Sequence, residues 1–132
     1  MTMTPGPAGP KKIIPPRSGP LHVLDAAGYS IAGMRRLLGE TAARQELWGA
    51  AAGGLALYWR GAHLWHGAVF VALVALVLAI EALNTALEIL TDTISPDWSQ
   101  MAKDAKDLGS LAVALILTVT AGFLALVLLG AV

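Results

Sequence analysis

Hydrophobic residues in this chain form long stretches separated by short polar segments. Residues 67–80 carry no charge, and neither do residues 108–132. An earlier stretch, 47–59, is also apolar but too short alone, because a helix needs about 20 residues to cross a bilayer. The pattern predicts an all-α integral membrane protein in which the first of three transmembrane helices begins with polar turns. We expect these helices at 41–60, 66–91 and 107–131.

The segment before the first span has a different pattern. Apolar side chains recur there at spacings of three and four residues, at Val23, Ala27, Ile31, Met34 and Leu38. This spacing predicts an amphipathic surface helix over 21–38. Residues 1–20 hold six of the seven prolines, a composition typical of disorder. We therefore expect a disordered tail at 1–20 and a membrane domain at 21–132.

The overall composition agrees with a membrane protein and excludes several classes of site. Charged residues make up 14% of the chain, compared with about 25% in typical soluble domains. The formal net charge is zero, so no nucleic-acid partner is expected. There is no cysteine, which excludes disulfides, cysteine nucleophiles and cysteine-ligated metals.

Basic residues indicate how the chain crosses the membrane. Six of the nine Lys and Arg residues precede Leu47, whereas none follows Lys106. Arg60 lies in the first loop, and Lys103 and Lys106 lie in the second. The positive-inside rule then predicts a cytoplasmic N-terminus and second loop and an external C-terminus.

Polar residues on the second span form the most informative pattern. At about 100° per residue, Glu81 and Glu88 lie about 20° apart on a helix, with Asn84 and Thr85 beside them. An ionised carboxylate facing lipid costs at least a few kcal/mol, so such a group usually faces a bundle interior, water or an ion. The stripe therefore predicts a polar site at the membrane edge, at the depth expected for Glu40.

These residue types suit phosphate chemistry. Carboxylates bind Mg²⁺, which fills its other positions with phosphate oxygens and water. A lysine such as Lys106 holds a transferring phosphate, and a buried carboxylate can take a proton from a hydroxyl. The set indicates phosphoryl transfer, in which positioning and charge neutralisation do most of the work.

Structural alternatives exist for the same residues. Glu40 and Arg44 have the spacing of a helix ion pair, and Asn84 suits a hydrogen bond between helices. Lys106 is also placed to anchor a helix at the interface. In that case the chain is a small non-catalytic membrane subunit whose polar stripe binds a partner.

Two motifs also resemble a known family. Glu81-Ala-Leu-Asn84-Thr85-Ala-Leu-Glu88 and Ala105-Lys106-Asp107-Leu-Gly109-Ser110 are similar to motifs of the prokaryotic diacylglycerol kinases. Residues 26–30 and 40–46 resemble two earlier motifs of that family. The Gly109-Ser110 pair is closer to the Gram-negative diacylglycerol kinases than to the undecaprenol kinases of Gram-positive bacteria, which stay the alternative.

The resemblance implies a fold, a reaction and a location. It implies a homotrimer in the bacterial inner membrane, with active sites between subunits and a periplasmic C-terminus. The reaction transfers the γ-phosphate of ATP to the hydroxyl of diacylglycerol, giving phosphatidic acid. Membrane lipids surround the protein, and Mg²⁺ enters as Mg-ATP.

The resemblance also implies residue roles. Glu81 is the expected general base, Asn84 steadies the site, and Glu40 and Glu88 bind the metal. The expected nucleotide contacts are Tyr29, Glu40, Glu88, Asp97, Trp98, Ser99, Lys106 and Asp107. The expected lipid contacts are Ala26, Ala27, Gly28, Ser30, Gln45, Glu46, Trp59, Glu81 and Ser110. Two departures affect the nucleotide side. His22 stands where the family usually has a basic residue, with Asp25 in place of a common lysine, and the segment between Tyr29 and Glu40 is one residue shorter than in the family.

Overall fold

The computed structural model describes residues 20–132, and the predicted all-α class is confirmed. Four helices follow one another: α1 (Pro20–Leu37), α2 (Thr41–Arg60), α3 (Leu64–Ile94) and α4 (Gln100–Leu129). The predicted tail at 1–20 lies outside the described residues, apart from Pro20 at the start of α1. The chain divides into two compact units between Ala32 and Gly33.

The first unit contains α1 as far as Ala32. Pro20 stands in the first turn, where a missing N–H removes no helical hydrogen bond. Tyr29 and Ile31 are 75% and 56% exposed. The exposed apolar side chains are compatible with a surface helix, but contact with a membrane stays a prediction.

Two helices of the second unit have the dimensions of membrane spans. Within residues 20–132, α3 and α4 are the helices long and apolar enough to cross a bilayer. At about 1.5 Å per residue, the 31 residues of α3 extend roughly 46 Å, more than the about 30 Å of a hydrocarbon core. The shorter α2 is less apolar, because Arg44 and Glu46 lie near its start and Arg60 ends it. The third span therefore stays a prediction.

Short, well-defined turns join the helices. Gly61 ends α2 in the left-handed conformation (φ 68°), and its N–H bonds to the carbonyls of Leu57 and Tyr58. α4 begins at Gln100 because the Ser99 hydroxyl accepts a hydrogen bond from the Ala102 N–H at 3.2 Å. This cap starts the helix earlier than the apolar pattern alone indicates.

α3 and α4 pack against each other along much of their length, and α2 packs on both. The short connection makes α3 and α4 antiparallel neighbours. Leu57, Phe70 and Val127 form a buried cluster at the end where α2 finishes. Other apolar side chains stay outside: Val71 is 67% exposed and Leu115 is 59% exposed. A single chain thus leaves many large apolar side chains exposed.

Candidate functional site

A polar cavity of about 310 Å³ lies among α2, α3 and α4. We call it the acidic pocket. Its lining residues are Glu40, Ala42, Glu81, Asn84, Thr85, Glu88, Ser110 and Val113. Three helices contribute, and the structure brings together three of the carboxylates and the amide that the sequence singled out.

Glu81 is the most buried acid of the acidic pocket. It is 5% exposed, and Thr85, one turn further along α3, is 7% exposed. The helical period places both side chains on the face that α2 and α4 cover. Burying an ionisable group is unfavourable unless another group compensates it. A buried carboxylate beside an open cavity is therefore a candidate for chemistry rather than for packing.

Asn84 orients the second acid of this stripe. Its side-chain Nδ2 donates a hydrogen bond to Glu88 Oε1 at 3.2 Å, one turn along α3. Within residues 20–132, Asn84 Oδ1 is buried and has no hydrogen-bond partner. The contact holds the Glu88 carboxylate at the pocket, where its second oxygen is free to bind a cation.

Glu40 enters the pocket from the start of α2. It occupies the N-cap position with an extended backbone, and its side chain does not cap the helix. The carboxylate instead forms an ion pair with Arg36. The sequence had suggested Arg44 as the partner, but Arg44 donates to the Thr41 hydroxyl at 3.3 Å. The ion pair with Arg36 is exposed, so solvent screens it.

A second cavity, of about 520 Å³, adjoins the first. We call it the apolar groove. Its lining residues are Ala42, Gln45, Glu46, Gly49, Ala50, Phe70, Val74, Val77, Leu78, Val113, Leu117, Thr120, Ala121 and Leu124. Ala42 and Val113 also line the acidic pocket, so the two cavities meet at these side chains. Gln45 and Glu46, two of the expected lipid contacts, lie in the groove.

The expected nucleotide residues of α4 lie outside both cavities. Lys106 Nζ donates to Asp92 Oδ1 at 2.5 Å and so joins the start of α4 to the end of α3. Asp107 pairs with Lys103 one turn earlier. Both lysine–aspartate pairs are exposed, so a phosphate can compete with the aspartates for the ammonium groups.

The α3–α4 turn contains the remaining nucleotide candidates of the second unit. Ser99 caps α4, and its hydroxyl lies 2.8 Å from that of Ser95. Ser95 Oγ also donates to the Asp97 carbonyl at 3.1 Å. Trp98 is 78% exposed, which leaves its ring available for stacking. The Asp97 backbone and the Ser99 side chain therefore have a structural role in the turn, whatever else they bind.

Several expected lipid contacts do not line either cavity. Ala26, Ala27, Gly28, Tyr29 and Ser30 lie on α1 in the first unit, where Ser30 Oγ donates to the Ala26 carbonyl at 3.0 Å. Trp59 is 77% exposed near the end of α2. At about 1.5 Å per residue, that position is roughly 28 Å along the helix from Glu40. Trp59 is thus an expected lipid contact that lies at the opposite end of α2 from the acidic pocket.

Sequence reasoning did not single out two small apolar residues of the site. Ala42 and Val113 border both cavities, yet neither has chemistry that a motif search detects. Their position depends on how α2 and α4 pack. Asp92 continues the polar stripe of α3 at the helical period, but its pairing with Lys106 depends on the tertiary fold.

Comparison with known proteins identifies the relatives of this sequence. Residues 28–129 match the family model described as "Prokaryotic diacylglycerol kinase". A diacylglycerol kinase of Sinorhizobium sp is 44% identical over 96 residues, which cover 73% of this chain and 70% of that protein. The diacylglycerol kinase of Pseudomonas aeruginosa PAO1 is 33% identical over 115 residues, covering 86% and 94%. That of Escherichia coli K12 is 31% identical over 103 residues, covering 77% and 84%.

Proposed function

This chain belongs to the prokaryotic diacylglycerol kinase family, and we propose that it transfers the γ-phosphate of ATP to the hydroxyl of diacylglycerol. The product is phosphatidic acid. The observation that carries the proposal is the junction of a carboxylate-lined pocket with an apolar groove. Such a junction suits a reaction between a charged phosphate donor and an acceptor whose tails are hydrocarbon.

Glu81 is the general base in this proposal. A base must come within hydrogen-bond reach of the proton that it removes. Glu81 is buried in the acidic pocket, next to the part that Ala42 and Val113 share with the apolar groove. A lipid whose acyl chain follows the groove brings its glycerol hydroxyl to this carboxylate. Gln45, Glu46 and Ser110 then surround the glycerol region.

The donor set of the acidic pocket fits a magnesium ion. Within residues 20–132, no cluster of three or more His, Cys, Asp or Glu side chains is arranged to hold a metal. Mg²⁺ needs no such cluster, because one or two carboxylates suffice when phosphate oxygens complete its coordination. Glu40 and Glu88 are the two carboxylates in this proposal. An ion held by these two carboxylates would supply charge neutralisation for the triphosphate.

The nucleotide lies over the start of α4 in this proposal. Lys106 exchanges its pairing with Asp92 for the phosphates, and Asp107 remains at the same turn. Residues 97–99 contact the rest of the nucleotide, and Tyr29 of the first unit stays an expected nucleotide contact. The exposure of Trp98 and of the lysine–aspartate pairs supports this placement.

The site operates at a membrane surface in a trimer. We propose that α2, α3 and α4 all cross the bacterial inner membrane, as multi-pass spans of the domain 21–132, and that α1 lies on its cytoplasmic surface. The N-terminus is cytoplasmic and the C-terminus periplasmic. Both cavities are open in a single chain, and exposed apolar faces surround them. This supports active sites completed between subunits of a homotrimer.

An assay with a small lipid panel tests the proposal. We expect Mg²⁺-dependent consumption of ATP that rises with added diacylglycerol and yields phosphatidic acid. A much larger response to undecaprenol would reject diacylglycerol as the acceptor and favour a polyprenol kinase. The absence of turnover with either lipid, in a folded preparation, would favour a non-catalytic subunit.

A further inference from the structure

A glycine on α4 lies against the amide that orients Glu88. A Cβ atom built on Gly109 would overlap Asn84 Oδ1, and it would approach Asn84 Cγ to 3.3 Å and Leu87 Cδ2 to 3.8 Å. Gly109 does not have a positive φ, so its backbone conformation is open to any residue. The requirement for glycine here is therefore space for the Asn84 side chain.

The chemistry of the carboxylate fixes which way this amide faces. An ionised carboxylate only accepts hydrogen bonds, so the NH₂ group of Asn84 must face Glu88, to which it donates at 3.2 Å. The opposite atom, Oδ1, then points at Gly109. This oxygen is buried, and no donor within residues 20–132 bonds to it. A bare glycine backbone thus forms the surface against which the amide rests.

The other glycines within residues 20–132 do not have this role. On the same helix, a Cβ at Gly122 would meet nothing within 4 Å, and the same holds for Gly54 on α2. Glycine is less favourable than alanine inside a helix. The close approach of Asn84 gives a specific reason for glycine at 109. Because Asn84 lines the acidic pocket, this glycine concerns the pocket and not the apolar core.

We propose that Gly109 is a positioning residue for the metal-bound nucleotide. Because Gly109 has no side chain, the Asn84 amide fits against α4. In that position the amide donates to the Glu88 carboxylate and directs it into the acidic pocket. A side chain at 109 pushes the amide toward Glu88 and turns the carboxylate. The consequence for nucleotide binding rests on the proposed function, whereas the displacement of Asn84 does not.

Asn84 is the single asparagine of the chain, which gives a direct measurement. Protein labelled with ¹⁵N-asparagine contains one side-chain amide, so its NMR signal reports this contact without nucleotide. We expect Gly109→Ala to shift that signal, and the matched variant Gly122→Ala to leave it in place. An unshifted amide in folded Gly109→Ala would overturn the inference.

Binding of Mg-ATP supplies the second measurement. Residues that orient a metal ligand typically change metal affinity roughly 10- to 100-fold when they are replaced. We expect a loss of that size for Gly109→Ala and a change of less than about twofold for Gly122→Ala. Wild-type affinity in Gly109→Ala would show that Glu88 does not depend on this contact and would overturn the inference.

A double variant establishes whether Gly109 acts through Asn84. Asn84→Ala removes the amide, so adding Gly109→Ala should weaken Mg-ATP binding no further. Additive losses would overturn the inference. If Gly109→Ala alone fails to fold, the double variant should fold as Asn84→Ala does, because the overlap is gone. Failure of the double variant beside a folded Asn84→Ala would likewise reject Asn84 as the reason for glycine.

The experiments separate this inference from the proposed function. A folded wild-type protein that neither binds Mg-ATP nor phosphorylates diacylglycerol rejects the proposed function, whatever the NMR signal does. A wild-type protein that does both, alongside a fully competent Gly109→Ala variant, rejects the role of Gly109 alone.

Discussion

The two ends of the α2–α4 bundle are built on opposite principles. At the end that we call the closed end, Leu57, Phe70 and Val127 are each about 5% exposed or less, and the helices approach closely. At the acidic end, where α2 begins, side chains of similar burial include Glu81, and the cavity there is lined by carboxylates and an amide. Apolar burial at the closed end stabilises the fold. The acidic end gives up part of that stabilisation for a site that can react.

Gly53 shows how tightly the closed end is packed. A Cβ atom there would lie 2.7 Å from Phe70 Cζ and 3.0 Å from Leu124 Cδ2. At the acidic end Gly109 has a similar lack of space, but its neighbour is the amide of Asn84. Two glycines thus serve close approach for different purposes, one for apolar packing and one for a polar contact.

The largest expected effect comes from the buried acid of the acidic end. Glu81→Gln should lower turnover roughly 100- to 10,000-fold, the usual contribution of a general base. Binding of Mg-ATP should stay close to wild type, because the base acts on the lipid hydroxyl. The thermal midpoint should be equal or higher, since the variant no longer buries a charge. Normal turnover in this variant would refute the assignment of the base.

Glu88→Gln should weaken the binding of Mg-ATP, whereas Glu81→Gln should leave that binding close to wild type. Loss of a charged partner costs about 1.5–3 kcal/mol, so the Kd of Mg-ATP should rise roughly 10- to 100-fold. Calorimetric titration measures it. Asp104→Asn is the matched control, because Asp104 is an exposed acid of α4 that bonds Gln100 and lines neither cavity. Equal losses in both variants would indicate a general effect of charge.

At the closed end, Gly53→Ala should act on stability instead. The added methyl group overlaps Phe70, and overpacking of this kind costs about 1–3 kcal/mol. Thermal unfolding in detergent measures the loss. Because Phe70 and Leu124 also line the apolar groove, binding of Mg-ATP rather than turnover is the property that should not change. Gly54→Ala, with nothing within 4 Å of its Cβ, should not be destabilised. If Gly53→Ala weakened the binding of Mg-ATP to the folded protein, the two ends would not be independent.

The smallest expected effect concerns Arg60. Its Nε donates to the Leu128 carbonyl at 3.3 Å and joins the ends of α2 and α4. Because the contact is long and exposed, Arg60→Gln should lower the unfolding free energy by about 1 kcal/mol or less. Urea or thermal unfolding checks this value, with turnover expected at the wild-type level. If Arg60→Gln lowered the unfolding free energy as much as Gly53→Ala does, the Arg60 contact rather than apolar packing would be the main source of stability at the closed end.

The helical period made the acidic end largely predictable. The i, i+3, i+4 and i+7 spacing alone places Glu81, Asn84, Thr85 and Glu88 on one face of a helix, and the structure lines one cavity with all four. From the order of the polar segments, Glu40 is expected at the same depth in the membrane as the α3 stripe, and it lines that cavity too. Family membership was predicted from four short motifs and is confirmed.

Contacts between distant residues could not be predicted in the same way. The Arg36 partner of Glu40 depends on the short turn between α1 and α2. The Asp92–Lys106 pair depends on the α3–α4 turn, and the overlap at Gly109 depends on how closely those helices approach. Each of these contacts depends on tertiary packing, and the helical periodicity of the sequence does not predict it. The early start of α4 is instead a local feature that the sequence analysis missed: Ser99 is of a residue type that commonly caps helices.

Ala42 and Val113, which border both cavities, have a consequence for substrate choice. A methyl group and an isopropyl group form the boundary between an ionic compartment and a hydrocarbon one. In the proposed reaction, the size of these two groups limits how bulky the acceptor alcohol can be at that boundary. Acceptor preference in this enzyme can then evolve through changes of side-chain volume at two positions, while every ionisable residue stays the same.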